Sequence, residues 1–443
     1  MLAGCGSDEG QEDSAERAFA SQYTSLASDS VLLRGATVLT GTGERLDAAD
    51  VLLADGKIVA VGADLEADDA EVVDAADKWI TPGVIDVHSH LGVYPSPSTA
   101  SHSDGNEMSA PVTAEVWAEH SVWPQDPGFA AALAGGVTSL QVLPGSANLI
   151  GGRGVTLKNV PGRSVMDMKF PGAPHGFKMA CGENPKRVYG SRGTAPSTRM
   201  GNVAGYRAAW IKAADYRDKM QAAADGAGEA PVRDLQLETL VGVLDGEILV
   251  HNHCYRADEM AVMLEIAKEF GYKIAAFHHA VEAYKIPDLL AANETCAAMW
   301  ADWWGFKMEA FDGIRENAAL VDRAGACAII HSDSEIGIQR LNQEAAKVIG
   351  AAARAGIEIP PERAVQWLTQ NAAKALGISD SVGTLEAGKM ADVVVWSGNP
   401  FSVYTRAERV YIDGALVYRR GDAATNPVTD FSLGTAAANG GAQ

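Results

Sequence analysis

The sequence contains no apolar run of about 18 residues, the length that a membrane-spanning helix requires, so a helical membrane protein is excluded. Basic residues are also few: 36 Lys and Arg stand against 57 Asp and Glu in 443 residues, which gives a formal net charge of −21. This balance argues against nucleic acid or an anionic membrane as the main partner. Hydrophobic residues make up 47% of the chain, so a large core can form and a disordered chain is excluded.

Cysteine is scarce, with five residues and no Cys-x-x-Cys spacing, which indicates neither a disulfide scaffold nor a zinc ribbon. Cys5 ends the segment Leu-Ala-Gly-Cys, which resembles the bacterial lipobox. The basic and apolar regions of a signal peptide do not precede it, so either the true start lies upstream or the match is accidental. We predict that Cys5 is lipidated and that the protein is anchored in the bacterial cell envelope, on the periplasmic side. The alternative is a cytoplasmic protein.

The two ends of the chain have strand-like patterns, and each carries a hairpin signal, Asp55-Gly56 and Asp413-Gly414. Each end is too small to be a stable sheet alone. We therefore predict one small β-sandwich built from residues 31–80 and 380–424. The polar residues 1–30 are predicted to be a tether, and residues 425–443, rich in Ala, Gly and Asn, a loose tail.

The middle of the chain, residues 81–379, alternates apolar strand-like runs with helical patterns. Such alternation is typical of parallel strands joined by crossover helices. Eight units of roughly 36 residues fit this length, which is usual for a TIM barrel. The predicted fold is therefore α/β, a (β/α)8 barrel with the composite β-sandwich beside it.

Histidine is also scarce, but seven of the 10 histidines stand at the ends of four predicted strands. They are His88, His90, His251, His253, His278, His279 and His331. The carboxyl ends of barrel strands meet at one mouth, where catalytic groups lie. Imidazoles together with a carboxylate suit a divalent ion such as Zn²⁺. We predict one or two such ions per chain.

Five stretches of the sequence together resemble the amidohydrolase superfamily, and within it the imidazolonepropionase-like group. They are 82–90, 253–258, 279–282, 332–334 and 383–392. The resemblance covers nearly the whole chain. It implies a metal-dependent barrel hydrolase with a split β-sandwich.

The resemblance also implies a ligand set, His88, His90, His253, His279 and Asp333. His251 competes with His253, because it lies two residues earlier on the same face of the strand. His278, the neighbour of His279, is expected to point to the opposite side of its strand. Asp333 is also the implied catalytic residue, which passes a proton from metal-activated water to the leaving nitrogen.

Binuclear members of the superfamily bridge their metals with a glutamate or a carboxylated lysine. Glu183, at the end of a strand-like run, is our preferred bridge, and Lys158 is the alternative. A lysine needs a depressed pKa to react with CO2, which a sequence does not reveal. A mononuclear site is the third option, in which Glu183 is a capping or salt-bridged carboxylate.

Four further residues are candidates for substrate binding, namely Tyr255, His331, Arg153 and Arg199. A guanidinium can hold a substrate carboxylate through two parallel hydrogen bonds. Each arginine fits a structural ion pair as well. The run Trp300–Trp304 either forms a wall of the pocket or belongs to the core.

The predicted function is hydrolysis of C–N (amide) bonds, in which metal-activated hydroxide attacks a carbonyl and Asp333 shuttles the proton. The alternatives are a mononuclear cyclic-amide hydrolase or deaminase, a prolidase-like dipeptidase and a non-catalytic scaffold. The expected substrate is a small-molecule amide, dipeptide or lactam. We expect no nucleic-acid partner and membrane contact through the lipid anchor alone; the oligomeric state, including a homo-oligomer, is left open.

Overall fold

The computed structural model describes residues 18–96, 98–422 and 425. The lipidation predicted for Cys5, most of the predicted tether and residues 426–443 of the predicted tail lie outside the described residues. Within the described ranges, no helix combines the length and the apolar character needed to cross a membrane.

The strands form two sheets. In chain order they are β1 (Val31–Leu39), β2 (Arg45–Ala54), β3 (Lys57–Gly62), β4 (Glu71–Asp74), β5 (Trp79–Pro82), β6 (Val84–Ser89), β7 (Val137–Val142), β8 (Ile150–Lys158), β9 (Gly176–Ala180), β10 (Leu249–Cys254), β11 (Ile274–His279), β12 (Cys296–Met299), β13 (Ala328–Ile330), β14 (Val393–Trp396), β15 (Ala407–Ile412) and β16 (Ala415–Arg419).

The α-helices lie mainly between the strands of the middle segment. They are α1 (Pro127–Ala134), α2 (Val165–Met168), α3 (Glu183–Gly190), α4 (Arg199–Ala224), α5 (Leu235–Leu244), α6 (Ala257–Phe270), α7 (Pro287–Ala292), α8 (Asn317–Arg323), α9 (Leu341–Arg354), α10 (Pro361–Ala364) and α11 (Gln370–Ala375). Short 3-10 turns lie at Ala100–His102, Ala118–His120, Ala283–Lys285, Met308–Ala310, Gly337–Arg340 and Val365–Leu368.

Strands β6 to β13 form a nearly closed barrel in which neighbours along the chain are neighbours in the sheet. Its strands are buried on both faces, as expected for a sheet covered by helices. Helix α6, which packs against β11, shows how the outer layer forms. Its buried apolar residues recur at spacings of three and four: Met260, Met263, Leu264 and Ala267. Gly271, with φ of 78°, then ends the helix.

The barrel differs from the predicted parallel barrel in one strand. β8 runs antiparallel to both β7 and β9, whereas the other barrel strands pair in parallel. The loop 143–149 joins β7 directly to β8, a connection that suits an antiparallel pair and not a parallel one. The carboxyl end of β8 consequently lies beside the beginning of β7, where Lys158 is opposite Ser139.

The second sheet combines strands from both ends of the chain. Its order is β16-β15-β14-β5-β1-β2-β3, and β4 pairs with β1. The antiparallel pair β5–β14 joins the two halves. Both predicted hairpins are present, and Asp55-Gly56 and Asp413-Gly414 have positive φ throughout (52°, 75°, 47° and 74°). This left-handed geometry is that of the tight turns for which Asp-Gly is preferred.

The cysteine prediction is wrong, because four of the five cysteines form disulfide bonds. Cys181 pairs with Cys254, and Cys296 pairs with Cys327. The partners are 73 and 31 residues apart, so their spacing in the sequence carries no disulfide signature. They become neighbours because β9 lies beside β10 and β12 lies beside β13.

Candidate metal centre

The seven histidines selected from the sequence come together at the carboxyl ends of the barrel strands. His88 lies in the middle of the cluster. Its ring centroid lies 5.0 Å from that of His90, 4.7 Å from His278, 4.8 Å from His279 and 5.4 Å from His331. The ring centroids of His253 and His279 are 4.5 Å apart, and those of His251 and His278 are 5.0 Å apart.

Two groups within this cluster have donor atoms close enough to hold a metal ion. One is His88, His90 and Asp333, and the other is His88, His279 and His331; within each group the donor atoms lie within 4.8 Å of one another. Asp333 Oδ1 lies 3.0 Å from His90 Nε2 and 3.5 Å from His88 Nε2. Asp333 Oδ2 lies 3.8 Å from His279 Nε2.

The geometry around His90 shows that a cation fits between this ring and Asp333. His90 Nδ1 lies 2.8 Å from the carbonyl oxygen of Leu143, which can only accept, so Nδ1 carries a proton. The other ring nitrogen, Nε2, faces the carboxylate oxygen of Asp333 at 3.0 Å. Two electron-rich atoms in this position need a proton or a metal ion between them. A backbone carbonyl that fixes the far nitrogen is also typical of metal-binding histidines.

Burial keeps most of the histidine rings neutral, so they have lone pairs to donate. Burial, with a smaller contribution from nearby cationic and histidine side chains, holds the pKa well below its usual value for His88, His253, His278 and His279. Burial also lowers the pKa of His251 to about 3 and that of His331 to about 4. The Nδ1 atoms of His253 and His279 are buried without a hydrogen-bond partner in the described structure. Neutral imidazoles beside a carboxylate form a donor set that fits Zn²⁺.

Asp333 is held as a carboxylate. Burial alone would raise its pKa, but the hydrogen bond and charge of His90, with Lys178 and His331, lower the pKa below the usual value. The backbone of Asp333 has φ of 50°, an uncommon conformation for a residue other than glycine. The strained backbone aims the carboxylate back toward His90 at the end of β6.

The prediction that His278 points away from the cluster is wrong. His278 Nδ1 lies 2.9 Å from His88 Nδ1, and His278 Nε2 lies 2.8 Å from His251 Nδ1. Strand alternation fails here because His279 and Ala280 have φ of 72° and 37°. This left-handed backbone brings the ring of His279 to the same side as that of His278, so both rings contact His88.

Lys178, in β9, is a residue of the cluster that sequence reasoning did not single out. Its side chain is buried, with 1% exposure, and its Nζ lies 3.2 Å from His88 Nε2. Burial lowers the pKa of Lys178 to about 8. The available signal was a charged residue inside the apolar strand Gly176–Ala180, because a lysine is rarely buried without a function or a partner.

Lys158, the alternative bridging ligand, lies outside the histidine cluster, so this prediction is wrong. Its Nζ is 2.9 Å from Asp392 Oδ1 and 2.8 Å from Asp413 Oδ1. Tyr23 donates a hydrogen bond to the other oxygen of Asp413. Because β8 is antiparallel, its last residue points toward the second sheet and not toward the histidines.

Glu183, our preferred bridging ligand, is the first residue of α3 and belongs to neither donor group. Its side chain is partly exposed, and Oε1 lies 4.0 Å from Lys307 Nζ. Its backbone N–H donates to Glu309 Oε1 at 2.8 Å. These contacts are those of a salt-bridged carboxylate at a helix start, and the structure places Lys178, not Glu183, against His88.

The predicted substrate-binding residues fall into two sets, and the two arginines have structural partners. Arg153 lies 4.2 Å from the ring centroid of Trp117 and donates to Thr239 Oγ1 at 2.9 Å. Arg199 forms ion pairs with Glu259, at 3.0 Å, and with Glu309. Both guanidinium groups thus have protein partners, and substrate binding by either arginine stays a prediction.

Tyr255 and His331 do lie at the centre. The ring of Tyr255 stacks on His279 with centroids 5.2 Å apart. His331 Nε2 accepts a hydrogen bond from the backbone N–H of His279 at 3.0 Å. The proton of the neutral His331 ring must then be on Nδ1, which is buried and has no protein partner in the described structure. His331 is thus better suited to donate a hydrogen bond than to bind a metal ion.

Asp86 and Ser332 join the first barrel strand, β6, to the segment that follows the last, β13, and we call this junction the seam of the barrel. The carboxylate of Asp86 accepts from the backbone N–H of Ser332 at 3.1 Å and of His88 at 3.2 Å, and from the Ser332 hydroxyl. Burial raises the pKa of Asp86 to about 7, an effect that these hydrogen bonds oppose. The backbone N–H of Asp333 donates to the carbonyl of His88 at 2.9 Å, which completes the junction.

Known proteins resemble this chain over much of its length. The amidohydrolase family matches residues 212–422. The amidohydrolase tasK of Hapsidospora irregularis is 34% identical over 395 residues, which is 83% of this chain; the chain spans 40% of the length of that relative. A dihydroorotase of Pelotomaculum thermopropionicum is 41% identical over 61 residues, 14% of each protein.

The crystal structure of an amidohydrolase from Thermotoga maritima MSB8 is similar along its full length. Its TM-score is 0.81 at 39% sequence identity, and the alignment covers 88% of this chain and 100% of that chain. The nearly closed barrel, the cluster at its mouth and these similarities agree with one another. The chain belongs to the amidohydrolase family.

Proposed function

We propose that the protein is a metal-dependent hydrolase of carbon–nitrogen bonds in small amides. The observation that carries the proposal is the 3.0 Å contact between His90 Nε2 and the carboxylate of Asp333, at a ring whose Nδ1 already donates to Leu143, because this contact needs a metal ion or a proton between the two atoms. A bound divalent ion supplies Lewis acidity and lowers the pKa of a water molecule. His88, His90 and Asp333 are the proposed holders of one Zn²⁺ ion.

The same cluster offers ligands for a second ion. We propose His253 and His279, whose Nδ1 atoms have no protein partner, as its neutral nitrogen donors. Lys178 becomes the proposed bridge in place of Glu183. With its pKa lowered to about 8, a larger share of the amine is neutral and able to add to CO2, which gives a carbamate and releases a proton.

Asp333 is the proposed proton carrier. Its Oδ1 faces His90, and its Oδ2 is left to take a proton from the attacking water and deliver it to the leaving nitrogen. His331 Nδ1–H is a donor that can hold the carbonyl oxygen of the substrate. Tyr255, buried beside His279, limits the access of solvent to the cluster.

Substitution of Asp333 tests the proposal. Asp333→Asn keeps the shape of the side chain and removes its ability to hold a proton. We expect the fold to persist and kcat to fall by about 100-fold or more, the usual scale for losing general acid–base catalysis. The measurement needs a substrate found by screening N-acyl amino acids, dipeptides and lactams with the metal-loaded protein. A near wild-type rate in Asp333→Asn would show that another group carries the proton.

Cyclic-amide hydrolysis is the second candidate function, and the short similarity to a dihydroorotase favours it. Membership of the imidazolonepropionase-like group likewise remains our proposal. Metal analysis of the purified protein distinguishes the options: two equivalents fit the binuclear hydrolase, one fits a mononuclear cyclic-amide hydrolase or deaminase, and none fits a scaffold.

We also propose that the protein matures in the bacterial cell envelope. Two disulfide bonds support this, because such bonds persist in oxidising compartments. The lipobox-like segment at Cys5 supports a lipid anchor there. When the gene is expressed from an upstream start with labelled palmitate, we expect labelled protein, and Cys5→Ala should abolish the label. Unlabelled protein that retains its N-terminal methionine would contradict the anchor.

A further inference from the structure

A cavity of about 350 Å³ opens beside the metal centre, and His279 is one of its lining residues. This volume is within the range of small-molecule sites. The lining includes Trp300, Trp303, Trp304 and Arg315, which lie in the segment that follows β12. The cavity thus connects a candidate metal ligand to a wall made of tryptophan rings.

Trp300 and Trp303 continue outward from His279 as one stack of rings. The rings of His279 and Trp300 are 4.3 Å apart and inclined by 22°, and those of Trp300 and Trp303 are 4.6 Å apart and inclined by 11°. Trp300 is buried, but Trp303 is 37% exposed and Trp304 is 58% exposed. Rings so exposed are not core residues, which decides between the two roles that the sequence leaves open. Clustered exposed aromatic side chains are typical of binding sites.

Arg315 is the cation in this wall that has no carboxylate partner. Among the described residues, none places a carboxylate oxygen within 4.0 Å of its guanidinium. Two acids of the same segment are already paired: Asp302 with Lys347 at 2.8 Å, and Asp312 with Lys285 at 2.7 Å. An exposed guanidinium beside stacked rings offers two parallel hydrogen bonds to a ligand carboxylate.

We propose that this cavity binds the aromatic amino-acid part of an N-acylated aromatic amino acid. The ring packs against Trp303 and Trp304, the α-carboxylate pairs with Arg315, and the amide bond lies next to His279. The proposal rests on the function proposed above and names its substrate class. Dipeptides with an aromatic C-terminal residue belong to the same class.

Lys307, another cation near the mouth, is a poorer anchor for the carboxylate. Its Nζ lies 3.6 Å from Glu309 Oε2 and 4.0 Å from Glu183 Oε1, so two carboxylates already oppose its charge. It also lies 3.8 Å from the ring centroid of Tyr255. A substrate carboxylate placed there would be repelled by Glu183 and Glu309.

Binding of the hydrolysis product tests the cavity independently of catalysis. The probes are L-phenylalanine, L-alanine, which lacks the ring, and 2-phenylethylamine, which lacks the carboxylate. In isothermal titration calorimetry of the metal-loaded full chain, L-phenylalanine should bind at least about tenfold more tightly than L-alanine and than 2-phenylethylamine. Trp303→Ala should remove the preference over L-alanine, Trp303→Phe should keep most of it, and Arg315→Met should remove the preference over 2-phenylethylamine.

Arg217→Met is the control, since Arg217 is a partly exposed arginine and its partner Asp245 lies outside the cavity lining. Equal binding of L-phenylalanine and L-alanine, or the same loss in Arg217→Met as in Arg315→Met, would overturn the proposal. Hydrolysis of N-acetyl-L-phenylalanine and N-acetyl-L-alanine separates the two levels of inference. Amide hydrolysis without the aromatic preference refutes the cavity assignment alone, whereas selective binding without any amide hydrolysis refutes the proposed chemistry alone.

Discussion

Two fully buried lysines on neighbouring strands have opposite surroundings. Lys158, at the end of β8, contacts the carboxylates of Asp392 and Asp413. Lys178, in β9, contacts an imidazole of the histidine cluster and has no carboxylate partner within 4.0 Å in the described structure. Burial alone therefore does not mark a functional lysine. The counter-charge does, because burial without a carboxylate partner lowers the pKa of an amine, as it does at Lys178.

Removing the amine of each lysine should have opposite effects on stability. Lys158→Met leaves two buried carboxylates without a cation, and we expect a loss of about 3–5 kcal/mol in the free energy of unfolding. Lys178→Met removes a buried amine that has no counter-ion, and we expect a change below about 1 kcal/mol. Urea denaturation of both variants measures the difference.

The pH dependence of Lys158→Met sharpens this comparison. Burial already raises the pKa of Asp392, and loss of the ammonium raises it further. A carboxyl whose pKa is raised in the folded state favours folding at low pH and opposes it at high pH. The loss of unfolding free energy in Lys158→Met should thus be smaller at low pH and larger at high pH. Equal losses in Lys158→Met and Lys178→Met at every pH would contradict the difference between the two lysines.

Metal content and activity should fall more in Lys178→Met than in Lys158→Met, the reverse of the effect on stability. If the proposed bridge is Lys178, Lys178→Met should lower the metal content from about two equivalents to one or fewer and kcat by about 100-fold. Lys158→Met, measured without urea under conditions in which the variant is folded, should keep its metal. Two results would identify a carboxylated lysine. Acetate or formate should restore activity to Lys178→Met, and wild-type protein supplied with ¹³C-labelled bicarbonate should show a carbamate signal in its ¹³C NMR spectrum. Full metal content in Lys178→Met would eliminate Lys178 as a ligand.

Arg153 extends the comparison to a cation with the smallest expected effect on catalysis. Arg153→Met loses the contacts with Trp117 and Thr239, so we expect a stability cost of about 1–2 kcal/mol. The ratio kcat/KM should change by less than about threefold, since its partners are structural. A large rise in KM would instead restore Arg153 as a substrate-binding residue, as the sequence predicts.

The sequence predicts the parts of the centre that depend on local pattern. Histidines at strand ends are recognisable because strand alternation and the barrel mouth are properties of short segments. The composite sheet is predictable for the same reason, from the Asp-Gly turns at both chain ends.

The remaining parts of the centre depend on contacts between distant segments. Lys178 and Lys158 look alike in sequence, and only the direction of β8 separates them. The rings of His278 and His279 lie on the same side because φ is positive at His279 and Ala280, which the sequence does not reveal. The disulfide partners Cys181 and Cys254 meet only after β9 and β10 have paired.

The junction of Asp86 with Ser332 has a consequence for how the molecule folds. The two residues are 246 positions apart, so this contact closes a very long loop and has a high entropic cost. The first and last barrel strands are joined there by side-chain and loop hydrogen bonds, beside His88 and Asp333. The candidate metal centre therefore lies on the seam of the barrel. An ion that bridges this seam would favour the closed barrel over the open chain in proportion to its affinity, so loading of the centre and completion of folding become one coupled event.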